Sequence, residues 1–266
     1  MARVIQNLLF LCLSRLRSVG RAFLRGKKSP LTLSKKVVWL ARYRLRAAKS
    51  RGKSWNGFLQ EKPGAFGLER CEIRFINLAS RSDRRKSLTR EFHRLDLKFF
   101  LRFKAVEHKR GSVGCAKSHA EVVSTPAAAG KLLMVCEDDL EFLASRADLD
   151  LVVEDFAQNE NLDVLCLAFN SIGVPYKISD YLSITNNTQT TACYVVKESG
   201  RQILGQEFEK SAVKILRGDS DKKSAIDQQW KKLQNGRLFF SIPNLRMAKQ
   251  AASFSDIEGR FVDYDV

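Results

Sequence analysis

The chain has 266 residues, with 46 Lys+Arg against 29 Asp+Glu, for a formal net charge of +17. Its 44% hydrophobic and 28% charged content is that of a globular protein long enough to bury a core, which excludes wholesale disorder. No stretch reaches 18 consecutive apolar residues, the longest early run being the six at 8–13, so a conventional membrane-spanning helix is not expected.

The charge is concentrated at one end. Residues 1–60 carry 15 Lys/Arg and no acid, which leaves 31 basic against 29 acidic residues for the remainder. The body is therefore near neutral, and binding of nucleic acid is not expected of it. Helical spacing over 3–25 puts Ile5, Leu9, Cys12, Leu16, Val19 and Phe23 on one face, opposite Arg3, Arg17, Arg21 and Arg25. A second helix is predicted over 34–49, with Val37, Ala41, Leu45 and Ala48 opposite Lys35, Arg42 and Arg46. Acid-free amphipathic helices of this kind suit the surface of an anionic bilayer. A mitochondrial presequence or a helical pair packed on the body would share the pattern, whereas a secretory signal fits poorly for want of a long apolar run.

Gly52, Gly57, Pro63, Gly64 and Gly67 break the helical period and mark a boundary. The organisation expected is a basic N-terminal segment over 1–62, a folded domain over 71–258 and a short tail over 259–266. Strands are predicted over 72–78, 98–106, 131–136, 163–169, 190–196 and 238–242. Helices are predicted over 83–95 and 115–123, from Lys197, and over 221–233, with a loop over 111–114. Alternation of this kind predicts an α/β fold, a mainly parallel sheet flanked by helices, with ligands beyond the carboxyl ends of the strands. Glu137, Asp138 and Asp139 follow an apolar strand directly and so fall at that end. If extension continues through them, Glu137 and Asp139 share a side and suit a hard divalent cation, Mg²⁺ or Mn²⁺. Six cysteines lacking a CxxC spacing disfavour a zinc site and suit a reducing compartment.

Several segments, in order, resemble glycosyltransferase family 25, the lipopolysaccharide and procollagen galactosyltransferase-like family. Ile76-Asn77-Leu78-Ala79-Ser80-Arg81-Ser82-Asp83-Arg84-Arg85 is similar to its INLxxRxDRR opening. Lys104-Ala105-Val106, Gly114-Cys115-Ala116-Lys117-Ser118-His119 and Glu137-Asp138-Asp139 resemble its next three motifs. Thr191-Ala192-Cys193-Tyr194, Ala225-Ile226-Asp227, Pro243 and Ser255-Asp256-Ile257 follow in the family's order. The resemblance spans 73–257 and leaves the first 60 residues outside; Ala79-Ser80, Cys193 and the stretch 107–110 depart from the family pattern.

The resemblance implies a GT-A-like fold and inverting transfer of a hexose, plausibly galactose, from a UDP-sugar donor. The expected acceptor is a lipid-linked oligosaccharide such as lipopolysaccharide core. In that reading Glu137, Asp138 and Asp139 hold Mn²⁺ or Mg²⁺, with Asp139 the main ligand, while Asn77, Arg81, Arg84, Ser118 and His119 bind the donor. Asp227 is the expected catalytic base, ahead of Asp163. Residues 1–60 would hold the enzyme peripherally on the cytoplasmic face of the inner membrane. Two rivals are a procollagen-type hydroxylysine galactosyltransferase and a non-catalytic membrane- or nucleic-acid-binding module on a transferase fold.

Overall fold

The structure, a computed structural model, describes residues 30–50, 65–255 and 259–263. The helix predicted over 3–25, the boundary residues 51–64 and Asp256-Ile257 of the last motif lie outside the described residues. The chain divides into two compact units between Gly52 and Lys53. In the first, α1 (Pro30–Ser50) takes in the predicted second helix and begins a turn earlier.

The second unit is built on a sheet of eight strands: β1 (Cys71–Asn77), β2 (Leu101–Lys104), β3 (Leu132–Glu137), β5 (Val164–Cys166), β7 (Tyr176–Lys177), β8 (Leu182–Thr185), β10 (Cys193–Val196) and β11 (Phe240–Pro243). Their order is β2-β1-β3-β10-β5-β11-β8-β7. The pairings make β10 and β8 antiparallel to both of their neighbours, so the other six strands point one way. The sheet is thus mostly parallel, with two reversed strands. The short strands β4 (Leu140–Phe142) and β12 (Ala248–Gln250) pair beside it, as do β6 (Asn170–Ser171) with β9 (Thr188–Gln189) and β13 (Ser253–Ser255) with β14 (Arg260–Val262). The predicted tail over 259–266 therefore contributes a paired strand.

The period of two is legible in the core. Leu133 and Val135 of β3, Val164 and Cys166 of β5, Tyr194 and Val196 of β10, and Phe240 and Ile242 of β11 share one buried cluster. That cluster includes Val113, Ala116 and Val123 of α3 (Gly111–Ser124) and Leu204, Phe208 and Ile215 of α5 (Glu198–Leu216). At Gly205 of α5 a Cβ would lie 2.6 Å from Ser124 Oγ, so the two helices meet where one has no side chain. The opposite sheet face is covered by α2 (Ser82–Arg94), whose fully buried Phe92 meets Phe75 of β1 edge-on and also packs on Phe100. Strands buried on both faces read as unbroken apolar runs, as in Leu133-Met134-Val135-Cys136.

Four expectations are corrected. The loop predicted over 111–114 is the first turn of α3, because Gly114 serves close packing: a Cβ there would stand 2.6 Å from the Val106 carbonyl oxygen. The helix predicted over 221–233 is split into α6 (Asp221–Ser224), α7 (Ile226–Gln229) and a 3-10 stretch, Trp230–Asn235. A helix not foreseen, α4 (Arg146–Gln158), follows β4. Its signal was the capping box in which Ser145 accepts from the Asp148 N–H and Asp148 reaches back. Strand β8 was also missed. Among the described residues, no helix is long and apolar enough to cross a membrane.

Candidate active site

A cleft of about 260 Å³ opens beyond the carboxyl ends of β1, β2 and β3. Its walls include Asn77 at the end of β1 and Leu78 after it, Ala105 and Val106 after β2, and Glu137 at the end of β3 with Asp138 and Asp139 after it. Arg84 enters from α2, Gly114, Ser118 and His119 from the first turns of α3, and Gln250 from β12. Crevices of this kind at strand ends are where α/β sheets bind ligands, because the loops there are free to carry function.

Helix α3 points its amino end into the cleft, and its other end is satisfied elsewhere. Arg74 donates to the carbonyls of Val122, Thr125 and Pro126 at 3.0, 2.8 and 2.6 Å, and Arg201 donates to that of Val123 at 3.0 Å. Two guanidinium groups thus meet the orphan carbonyls and the negative end of the helix dipole. Arg110 and Ser112, at the start of α3, are held by Asp221 of α6.

The three acids take different partners. β3 ends at Glu137, and Asp138 and Asp139 form a turn into β4, so the alternation expected of an extended strand stops there. Glu137 Oε1 accepts from the Thr191 hydroxyl at 2.7 Å and lies 3.2 Å from His119 Nε2. Asp138 accepts from Asn77 Nδ2 at 2.7 Å and from Arg84 at 3.0 Å. Asp139 lies 3.2 Å from the same Arg84 nitrogen and accepts from Gln250 at 3.1 Å. The two aspartates therefore converge on one guanidinium, and Glu137 is turned toward His119.

Burial raises the pKa of Asp139 to about 7, and the charge of Glu137 adds to this, against the opposing pull of Arg84 and Gln250. Asp138 is also raised, again mainly by burial. Glu137 goes the other way: burial opposes its charge, but His119, Thr191 and Arg84 together hold it below its ordinary range. The Tyr194 hydroxyl lies 3.1 Å from His119 Nδ1. Burial, then Glu137, raise Tyr194 well above its usual value, so it keeps its proton. On the other side of the ring, Nε2 faces the Glu137 carboxylate. The imidazole, stacked on Tyr194 and edge-on to Phe208, is 1% exposed and fixed in place.

The remaining predicted site residues are distributed as follows. Asn77 is fully engaged: Nδ2 donates also to the Arg81 carbonyl, and Oδ1 accepts from Arg102 at 3.0 Å. Ser118 donates to the Gly114 carbonyl at 2.7 Å and accepts from the Val106 N–H at 2.8 Å, tying β2 to α3. Arg81 forms an ion pair with Asp83 at 3.1 Å and is not among the cleft-lining residues. Asp227, on α7, is half-buried, accepts from Gln228 at 3.2 Å and does not line the cleft. Burial raises its pKa, against the opposing influence of Lys231 and Gln228. Asp163, the second candidate base, precedes β5 at the amino end of the sheet, where it accepts from Ser199 and the Phe239 N–H. It is thus at the wrong end of the strands. Thr191, Arg102 and Gln250 were not foreseen. Gln250 is brought in by the pairing of β12 with β4, which has no local signal in the sequence.

Among the described residues, no group of three or more His, Cys, Asp and Glu is arranged to hold a metal ion. Asp139 Oδ1 is nevertheless buried without a hydrogen-bond partner. Two convergent aspartates with one orphaned hard oxygen fit a Mg²⁺- or Mn²⁺-type ion that takes the rest of its shell from phosphate and water. Glu137, committed to His119 and Thr191, fits less well as a ligand. No protein-family model matches the chain, and no curated protein is found similar to it.

Proposed function

We propose that this chain is a glycosyltransferase of GT-A-like fold, moving a hexose from a UDP-sugar to a lipid-linked oligosaccharide with inversion. One observation carries the reading. Asn77, Arg84, Ser118, His119, Asp138 and Asp139 come from three separate stretches of sequence and meet in a single cleft at the carboxyl end of a mostly parallel sheet. The family resemblance supplies the reaction class and the donor.

In this reading the acceptor hydroxyl oxygen attacks the anomeric carbon as the bond to the diphosphate oxygen breaks. The hydroxyl proton passes to a carboxylate, and UDP leaves. Asp138 and Asp139 would hold a divalent cation, which when bound offsets the charge of the leaving diphosphate. The start of α3 and the guanidinium of Arg84 provide further positive potential where that charge develops. The Tyr194–His119–Glu137–Thr191 chain keeps a second carboxylate ionised and immobile beside the reacting atoms. Asp227 is the base this reading names, although it does not line the cleft; burial raises its pKa, which favours proton uptake. The basic segment 1–60 keeps the enzyme at an anionic bilayer, on the cytoplasmic face of the inner membrane.

Calorimetric titration of a UDP-sugar panel, with Mn²⁺ and then with EDTA, tests this. Binding of one UDP-sugar that disappears in EDTA is the expected result; absence of binding under both conditions overturns it. A second reading, a non-catalytic binding module on a transferase fold, is favoured by Arg84, which already pairs with both aspartates. It predicts no donor binding and, were nucleic acid the partner, a steep salt dependence on DNA.

A further inference from the structure

Among the described residues, β2 is the outermost strand on its side of the sheet, bonded only to β1. The run Lys98-Phe99-Phe100-Leu101-Arg102-Phe103-Lys104 forms this edge. Phe99 is 88% exposed and Leu101 56% exposed, and no large apolar side chain among the described residues is more exposed than Phe99. Lys98, Arg102 and Lys104 are exposed beside them. Phe100, packed on Phe75 and Phe92, and Phe103, packed on the core cluster, anchor the strip from behind. Two large apolar side chains held in water, interleaved with cations on an open strand edge, are a contact surface in search of an anionic, partly apolar partner.

We propose that this edge gives the second unit a contact of its own with an anionic lipid surface, which acts together with the basic N-terminal segment. Lys98 and Lys104 face the headgroups, while Arg102 stays on Asn77, and Phe99 and Leu101 enter the boundary between headgroups and acyl chains. The outward backbone N–H groups of β2 need acceptors, which headgroup phosphates and water supply but hydrocarbon does not. A second copy pairing along the same edge is disfavoured, since it would bring like charges face to face. Ala105 and Val106, which follow β2 directly, line the cleft. The seat therefore adjoins one wall of the cleft. Docking itself does not depend on the transferase reading.

The test is hydrogen exchange of the full chain, with and without vesicles of phosphatidylglycerol and phosphatidylcholine at 3:7, read on peptides covering 97–106. Exchange there slows at least threefold with these vesicles and is unchanged with pure phosphatidylcholine. In the double variants Phe99→Ser/Leu101→Ser and Lys98→Glu/Lys104→Glu, that protection disappears and co-sedimentation falls about tenfold, while thermal midpoints match the parent's. Vesicle binding with no protection at 97–106 would assign the membrane contact to other residues and overturn the proposal. Protection without lipid, together with a dimer mass in solution, would make the edge a self-association surface and overturn it equally.

Discussion

Asp139 occupies a turn where burial and the nearby Glu137 resist its ionisation. Its folded pKa, about 7, stands above the ordinary 3.8, so between those values the native state holds a proton that the unfolded chain has released. Native stability from this group is therefore intact below about pH 4 and falls as pH rises toward 7. Asp139→Asn removes the cost. Without divalent metal, its melting temperature should exceed the parent's by about 3 °C or more at pH 8, and the gain should vanish near pH 4. In the same variant, Mn²⁺-dependent binding of a UDP-sugar should be lost. A mutation that stabilises the fold and removes binding is the signature of a residue kept for function. Melting curves across pH, paired with calorimetry, check both halves; a variant less stable at pH 8 would contradict the electrostatic account.

Among the elements, α3 and α4 differ in what fastens them. α3 relies on close approach, so Gly114→Ala should push the Val106 carbonyl away from a 2.6 Å encounter, costing about 1–3 kcal/mol. Chemical denaturation measures that loss, and weakened donor binding should accompany it because Val106 lines the cleft. α4 is fastened by charge. Glu154 accepts from Arg70 at 2.6 and 2.9 Å, from the Gly67 N–H at 3.0 Å and from Gln158 at 2.8 Å. Burial opposes its charge, but these donors outweigh burial and hold its pKa below the ordinary 4.5. Its contribution is therefore present above about pH 4.5 and lost as pH falls through the folded value. Glu154→Gln should lower the melting temperature at pH 7 and flatten its decline between pH 4.5 and 2; an unchanged acid limb would count against the pairing.

The elements also separate what was legible in the sequence from what was not. Apolar runs such as 133–136, buried on both faces, announced β3, and the acids after it announced the cleft. The reversal of β10 was not legible, because a strand buried on both faces reads alike in either direction. Gly114 looked like a loop because glycine signals both freedom and closeness. In the site, Asn77, Arg84, Ser118 and His119 were found through motif order, but their actual partners follow from tertiary approach. The strand-alternation argument for Glu137 and Asp139 failed where the chain turns after Glu137.

For the whole molecule, charge is partitioned as sharply as the contacts are. Residues 1–60 hold 15 of the 46 basic residues and no acid, and the compact second unit begins at Lys53. Deleting 1–60 should release most of the protein from anionic vesicles at about 0.15 M salt, where the Debye length is about 8 Å. Binding of UDP-sugar should survive the deletion. Sedimentation with vesicles decides the first point; undiminished binding would remove the segment from the membrane account.

Strand β10 has a consequence for how the molecule comes together. It lies between β3 and β5, yet the chain reaches it only after both have been made, from roughly 60 residues beyond β3. β1, β2 and β3 can associate early through nearby crossovers, whereas within the eight-stranded sheet the β5–β11–β8 half is joined to them through β10. Such a late, non-local closure slows folding, since the loop entropy is spent before the contacts form. It also delivers Tyr194 to His119 only at that step. The alignment of the imidazole is thus tied to the joining of the two halves of the sheet.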